Sequence, residues 1–331
     1  MAPAHRIDCL QYAAWSPRIF EEMAAGGLHA VHATVAYHEN FRETVARLEE
    51  WNRFFARNPE RILRGRDAAD VRRARETGRT AIFFGAQNCS PVEDDLGLVE
   101  VCRDLGLRFM QLTYNNQSPL AAGYLEERDC GVTRFGREVI AEMNRVGLVV
   151  DMSHSGERST LEAIEISERP VAITHANPAR WRETPRNKSE EVIAALAAGG
   201  GVMGFSLYPH HMKDGGACRL DDFCRMVAET VERHGAESFG IGSDLCQGHG
   251  GDVLAWMRDG RWRFGKNDGG GKDDSDSAEF PPQPEWFRTN ADFPNLAEGL
   301  RKVGFNESET DALLGENWLR FFESSFTPRD E

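Results

Sequence analysis

No stretch of this chain approaches 18 uninterrupted apolar residues, so none reads as a membrane-spanning helix. The opening residues MAPAHRIDCLQYAAW lack the charged-then-apolar pattern of a secretory signal, and the closing SSFTPRDE lacks the apolar tail of a lipid anchor. The seven cysteines are odd in number and scattered, with no CxxC pair. That argues against a disulfide framework and suits reduced thiols. No GxGxxG follows the first apolar run, which argues against a dinucleotide-binding sheet. Positive charge is scarce: 39 Lys and Arg stand against 53 Asp and Glu, a formal charge of -14. Nucleic acids and anionic membranes attract basic surfaces, so neither is expected as a partner. What is present is ordinary for a soluble globular protein, 40% hydrophobic and 28% charged over 331 residues, enough for one large core. A cytoplasmic enzyme acting on a small molecule is the simplest expectation.

Short apolar runs recur at 7–10, 30–36, 80–85, 108–113, 147–152, 171–174, 201–205 and 239–242. Amphipathic patterns fall between them, for example at 40–57, 95–105, 134–145, 157–168, 189–198 and 220–234. The runs lack period-two alternation, as expected of strands buried on both faces. Strand and helix alternating in this way specify a parallel sheet, and eight repeats point to a closed (β/α)8 barrel. One barrel domain is expected over residues 1–331. Two further helices are expected at 294–303 and 307–323, the first with Pro294 at its start, where a missing N–H costs nothing. The connection at 249–293 is long and contains GKNDGGGKDDSDSAEFPPQPEWF flanked by Trp256, Trp262, Phe264 and Trp286. Its length and aromatics suit a lid or a subunit contact.

Two histidines end apolar runs in matched positions. VGLVVDMSH closes on His154 and PVAITH on His175, with the helical segment ERSTLEAIEISE between them. A right-handed crossover sets the two strands side by side and parallel, placing both imidazoles at the end where such barrels keep their chemistry. One histidine alone reads as a hydrogen-bonded strand-end residue; the matched pair can share one divalent metal. Asp244, in GIGSD after the last run, is placed to bind metal or carry a proton, or to cap a turn. Arg186, 11 residues past His175, can fork a substrate carboxylate or sit as a surface arginine.

In order, Asp151-Met-Ser-His154, Thr174-His175-Ala-Asn, Arg186-Asn187 and Gly242-Ser-Asp244 resemble the signature of the membrane (renal) dipeptidase family of the amidohydrolase superfamily. The resemblance runs from Ile7 to about Phe322 and is weakest in the 249–293 loop. It implies a (β/α)8 barrel that hydrolyses dipeptides at two zinc ions bridged by a glutamate and water. By the same resemblance His154 and His175 bind the second zinc, Asp244 binds the first and passes protons, and Arg186 holds the substrate carboxylate.

The chain departs from that pattern where the first zinc is expected. Leu10 and Tyr12 stand in place of a His and an Asp on the first strand, Gln87 in place of the bridging glutamate, and Tyr114 in place of a substrate-contacting His. A leucine cannot bind zinc, and a neutral phenol is a poor ligand. The expectation is therefore a single zinc, or none, on His154 and His175, completed by Gln87, Asp244 or water. Tyr114 and Asn115, in the 114–133 connection, would contact substrate, and Asp244 would act as general base. His38-Glu39 and His210-His211 are further candidates for the pocket, as are the thiols of Cys9 and Cys246. The leading expectation is a hydrolase cleaving an amide bond in a small carboxylate-bearing molecule. The alternatives are a catalytically silent metabolite-binding barrel and a metal-free lyase or isomerase using Asp244 and Tyr114. A homodimer fits the family resemblance.

Overall fold

The structure, a computed structural model, describes residues 4–260 and 279–328. Strands and helices alternate from the start: β1 (Ile7–Gln11), α1 (Pro17–Ala25), β2 (Ala30–Ala36), α2 (Phe41–Arg57), β3 (Ile62–Arg64), α3 (Ala68–Glu76), β4 (Thr80–Ala86) and α4 (Gly97–Leu105). The middle of the chain adds β5 (Leu107–Gln111), α5 (Arg134–Val146), β6 (Val149–Asp151), α6 (Glu157–Ile166), β7 (Ala172–Ala176), α7 (Glu190–Ala198), β8 (Val202–Phe205), α8 (Leu220–His234) and β9 (Phe239–Ile241). After it come α9 (Gly251–Asp259), α10 (Phe293–Lys302), α11 (Glu307–Asp311) and α12 (Asn317–Ser325). Local chemistry sets many of the starts. Ser16, Asn40, Asp67, Thr133 and Ser189 each accept a backbone N–H from the first turn of the helix that follows.

The barrel runs β1-β2-β4-β5-β6-β7-β8-β9, all parallel, and closes where Asp8 of β1 pairs with Ile241 of β9. Each of the eight expected apolar runs supplies one of its strands. The additional strand, β3, is too short to stand out in the sequence. It pairs Ile62 with Thr80 along the first half of β4, below the point where β5 joins at Phe84.

Two expected elements differ. The strand expected over 147–152 begins at Val149, because Gly147 adopts a left-handed φ of 73° and closes α5. A Cβ there would lie 2.8 Å from the Phe326 carbonyl, so both turn and packing demand glycine. The helix expected over 307–323 is interrupted by a wide turn at Ala312–Glu316. The N-terminal segment enters there: Gly315 packs on the His5 carbonyl, and Glu316 accepts the His5 N–H at 2.7 Å.

The two ends of the barrel differ in chemistry. Its amino-terminal floor is aromatic and apolar, with Trp318, Phe322 and Phe326 packed on Phe83 and Phe109. The Trp318 indole donates to the Ile241 carbonyl at 3.0 Å, and Gly240 makes room for its ring. Polar side chains gather at the carboxyl end. Above them α9 occupies the first part of the expected 249–293 loop. Residues 261–278, including Trp262 and Phe264, lie outside the described residues. Beyond them, Trp286 donates to the Cys218 carbonyl at 2.7 Å and Phe287 is fully buried. Among the described residues, no helix is long and apolar enough to cross a membrane.

Candidate active site

Two buried carboxylates shape the strand ends. Asp151, the last residue of β6, accepts from Ser153 N at 3.0 Å, Ser153 Oγ at 2.6 Å, Thr174 N at 3.1 Å, Thr174 Oγ1 at 2.6 Å and Gln111 Nε2 at 2.9 Å. It thereby ties the turn carrying His154 to the strand carrying His175. Asp8 does the same at the other side of the barrel, accepting Ser243 N at 2.7 Å and Ser243 Oγ at 2.5 Å. That bond sets the turn from which Asp244 emerges, with a strained φ of 56°. Only part of this was open to inspection of the sequence. Asp-x-Ser at 151–153 is a recognisable Asx-turn pattern, whereas the carboxylate of Asp8 meets Ser243 only after closure.

The hydrogen-bond partners of the histidines determine where their protons sit. Thr174 gives its hydroxyl proton to Asp151, so toward the ring of His175 it can only accept, and Nδ1 of His175 donates across 2.9 Å. Nδ1 of His154 faces the amide oxygen of Asn115 at 2.7 Å and donates to it. Both Nε2 atoms are therefore free of a proton, and they face each other 3.0 Å apart. Burial, with the Arg186 guanidinium nearby, holds both imidazoles well below their usual range, so neither takes up a second proton near neutrality. Two lone pairs opposed at that distance repel unless a cation lies between them. Zinc–imidazole bonds of about 2.0–2.1 Å put adjacent tetrahedral nitrogens roughly 3.4 Å apart, so a small adjustment suits the pair to one ion.

The other expected site residues converge on the same mouth. Gln87, Tyr114, Asn115, Arg186 and Asp244 line one pocket with His154. Burial raises Asp244 to about 7, opposed by Arg186 and assisted by Asp8. Tyr114 stacks on the His154 ring at 4.3 Å, and burial keeps its phenol protonated. The Gln87 amide donates to Thr34 Oγ1 at 2.9 Å and to the Tyr37 hydroxyl at 3.0 Å. Among the described residues, no group of three His, Cys, Asp or Glu is placed to hold a metal. The protein thus offers the histidine pair, with other positions left to neutral groups, solvent or substrate.

Arg186 is fully buried, not a surface residue. Its Nη1 donates to the Ser153 carbonyl at 2.5 Å and its Nη2 to the His175 carbonyl at 2.8 Å, while Nε has no acceptor. The guanidinium ends expected to fork a substrate carboxylate each give one N–H to the two histidine loops instead, and Nε–H is among the donors left unengaged.

Leu10 is fully buried in β1, where it offers no ligand. Tyr12 stacks on His249 at 4.4 Å and meets Tyr37 edge-on at 4.9 Å, with its phenol pushed up to about 12 by burial and nearby Glu39. Cys9 packs in the lower core with Trp318 and is not among the residues that line the pocket. Cys246 lies at the mouth beside Tyr37 and Tyr114. Burial pushes both thiols well up, against a nucleophilic role for either. His38 Nε2 faces the Met257 carbonyl of α9 at 3.2 Å, and Glu39 accepts the backbone N–H groups of Tyr37 and His38. That pair fastens the loop and α9 and is not directed at the histidines. His211 does line the pocket, its Nδ1 2.8 Å from Ser206 Oγ. Tyr124 and Tyr208 also line it and were not singled out in the sequence, where a tyrosine in a loop carries no distinguishing pattern. Leu254, Met257 and Arg258 of α9 close the pocket, leaving about 30 Å³ of free space, room for a water or two.

The family model described as membrane dipeptidase (Peptidase family M19) matches residues 11–256. An uncharacterized dipeptidase of Schizosaccharomyces pombe is 31% identical over 189 residues, covering 54% of this chain and 45% of its own length. The chain spans about half the length of the curated relatives it matches. The crystal structure of an amidohydrolase from Pseudomonas aeruginosa is 36% identical with a TM-score of 0.90, over 98% of this chain and 97% of that one. A metallo peptidase from Rhodobacter sphaeroides, solved with a phosphinate mimic of the dipeptide L-Ala-D-Ala, shares the fold at 16% identity. Its TM-score is 0.77, over 97% of this chain and 99% of its own.

Proposed function

The chain belongs to the membrane dipeptidase family, peptidase family M19, and on that premise we propose that it is a metal-dependent hydrolase. Its target is an amide or peptide bond in a small carboxylate-bearing molecule, and its site holds a single divalent cation, zinc. The observation that carries this reading is the pair of Nε2 atoms of His154 and His175, opposed at 3.0 Å, with Nδ1 of each ring facing an oxygen.

A zinc ion held by these two residues would supply a Lewis acid that lowers the pKa of a water and polarises a carbonyl. Asp244, held near 7 by burial, accepts a proton from the attacking water and returns it to the leaving amine. The phenols of Tyr114 and Tyr208, kept protonated by burial, are donors for the oxygen on which charge develops. Arg186, which lines the pocket, is the cation for the substrate carboxylate. A second ion of the family type is not part of this reading. Leu10, Tyr12 and Gln87 present a hydrocarbon, a neutral phenol and an amide already donating to Thr34 and Tyr37.

Elemental analysis of the purified chain, beside a His154→Ala/His175→Ala variant, tests the proposal together with a screen of dipeptides and N-acyl amino acids. About one zinc per chain, absent from the variant, with hydrolysis in the screen, is the expected result. No zinc in folded protein supplied with the metal overturns the metal reading. Two zincs overturn the single-ion site. That no third His, Cys, Asp or Glu stands with the histidine pair among the described residues favours one other reading, a silent barrel that binds a small ligand. Ligand binding by metal-free protein, without turnover, would establish it.

A further inference from the structure

Lys188 is a buried lysine that the proposed reaction does not use. The residue is 3% exposed, and an amine so placed must be bonded to be tolerated. Nζ donates to the Met152 carbonyl at 3.0 Å and to the Ser155 carbonyl at 2.9 Å, one on each side of Ser153-His154. Its backbone is joined to the other histidine loop. Lys188 N donates to the Asn177 carbonyl at 2.9 Å, and the Lys188 carbonyl accepts from Ala179 N at 2.8 Å, just beyond His175. One residue therefore bridges the segment that carries His154, through its side chain, and the segment that carries His175, through its main chain.

Arg186 completes the arrangement by binding the Ser153 and His175 carbonyls. The carbonyls of residues 152, 153 and 155 are thus all met by two basic side chains that lie two positions apart in the chain. Without those side chains the Ser153 and Ser155 carbonyls would lose these buried donors, Met152 would keep only the 3.3 Å bond from Ser155 N, and the turn could reorganise. Its side chain at 154 would then leave the line that aims Nε2 at His175.

We infer that Lys188 is a positioning residue for the metal-holding histidine pair, setting the separation of the two Nε2 atoms through the 152–155 turn. This rests on the single-cation reading of the site, and the test separates the two.

Zinc affinity is measured by competition with a chromophoric chelator for the wild-type chain, Lys188→Met and Arg108→Met. Arg108 is a second buried cation bonded to backbone carbonyls (Arg66, Arg103 and Leu107), and it serves as the control for general loss of stability. The expected result is a drop of about tenfold or more in Lys188→Met, the size typical of losing an outer-shell support. Affinity in Arg108→Met should stay within about threefold of wild type, since it leaves that support intact. Equal zinc affinity in wild type and Lys188→Met overturns the inference while leaving the site reading in place. A wild-type chain that binds no zinc overturns the site reading and this inference with it. Should Lys188→Met not fold, the Lys188 Nζ signal of wild-type protein labelled with 15N-lysine decides. A shift on zinc addition supports the positioning role, and an unmoved signal overturns it.

Discussion

Thr174 gives its hydroxyl proton to Asp151 across 2.6 Å and receives one from Nδ1 of His175 across 2.9 Å, so a single hydroxyl fixes which face of the ring is left bare. Thr174→Val keeps the shape and removes both bonds. The variant should lose about 1–3 kcal/mol of stability, read from denaturant unfolding, because Asp151 and the ring each lose a buried partner. Its zinc affinity should fall roughly 10–100-fold, as when other outer-shell partners of metal-binding histidines are removed. Unchanged zinc affinity would show that His175 does not need this orientation.

Asp244 sets a pH dependence whose sign follows from its environment. Its folded-state pKa, about 7, lies above the ordinary carboxylate value of 3.8 because burial disfavours the charge. Between those values the folded state binds more protons than the unfolded one, so this group's contribution to stability is full below about 4 and is lost as pH rises toward 7. Asp244→Asn should flatten that slope and raise the thermal midpoint at pH 8 relative to wild type. Activity runs the other way, since the unprotonated carboxylate is the base: turnover should climb through pH 7 in the wild-type chain and collapse in the variant, with zinc content retained. Matching pH profiles for the two proteins would remove Asp244 from the proton transfer.

Gly242 has no room for a side chain, since a Cβ would lie 1.7 Å from the Thr174 carbonyl. Gly242→Ala must push β7 outward and should cost about 3 kcal/mol or more in urea unfolding. The displaced strand carries His175, so zinc binding should weaken together with stability. A neutral substitution would mean that β7 and β9 are not so closely apposed.

Thiol reactivity offers an independent check on the packing. All seven cysteines are free; only Cys130 is exposed and Cys246 is half-buried. Iodoacetamide on native protein, followed by peptide mass spectrometry, should label Cys130 first and Cys246 more slowly. Cys9, Cys89, Cys102, Cys218 and Cys224 should react only on unfolding. Rapid native labelling of Cys9 would contradict its place in the barrel floor.

The barrel was legible in the sequence because its signal is local and repeated. Strands buried on both faces make continuous apolar runs, and the eight that the sequence shows are the eight that close the ring. The histidine pair was legible for the same reason: a strand, a helix of one length and a strand fix the neighbours. What escaped depends on contacts between distant residues. Neither the burial of Lys188 nor the engagement of Arg186 by backbone carbonyls leaves a mark on composition or period. The break at Ala312–Glu316 arises because His5 packs into the helix from the other end of the chain, and a periodic pattern cannot report such an intrusion. The sequence pattern runs through Gly147 and Gly315 as parts of regular elements, although backbone packing against them requires glycine.

The floor formed by Trp318 and Phe322 has a bearing on how the molecule is made. The indole of Trp318 reaches the carbonyl of Ile241 in the last barrel strand, which itself pairs with the first. During synthesis, most strands therefore leave the ribosome before either the ring or its base can be completed. Until residues 317–326 emerge, the underside of the nascent barrel presents Phe83 and Phe109 to water, a surface suited to transient chaperone capture.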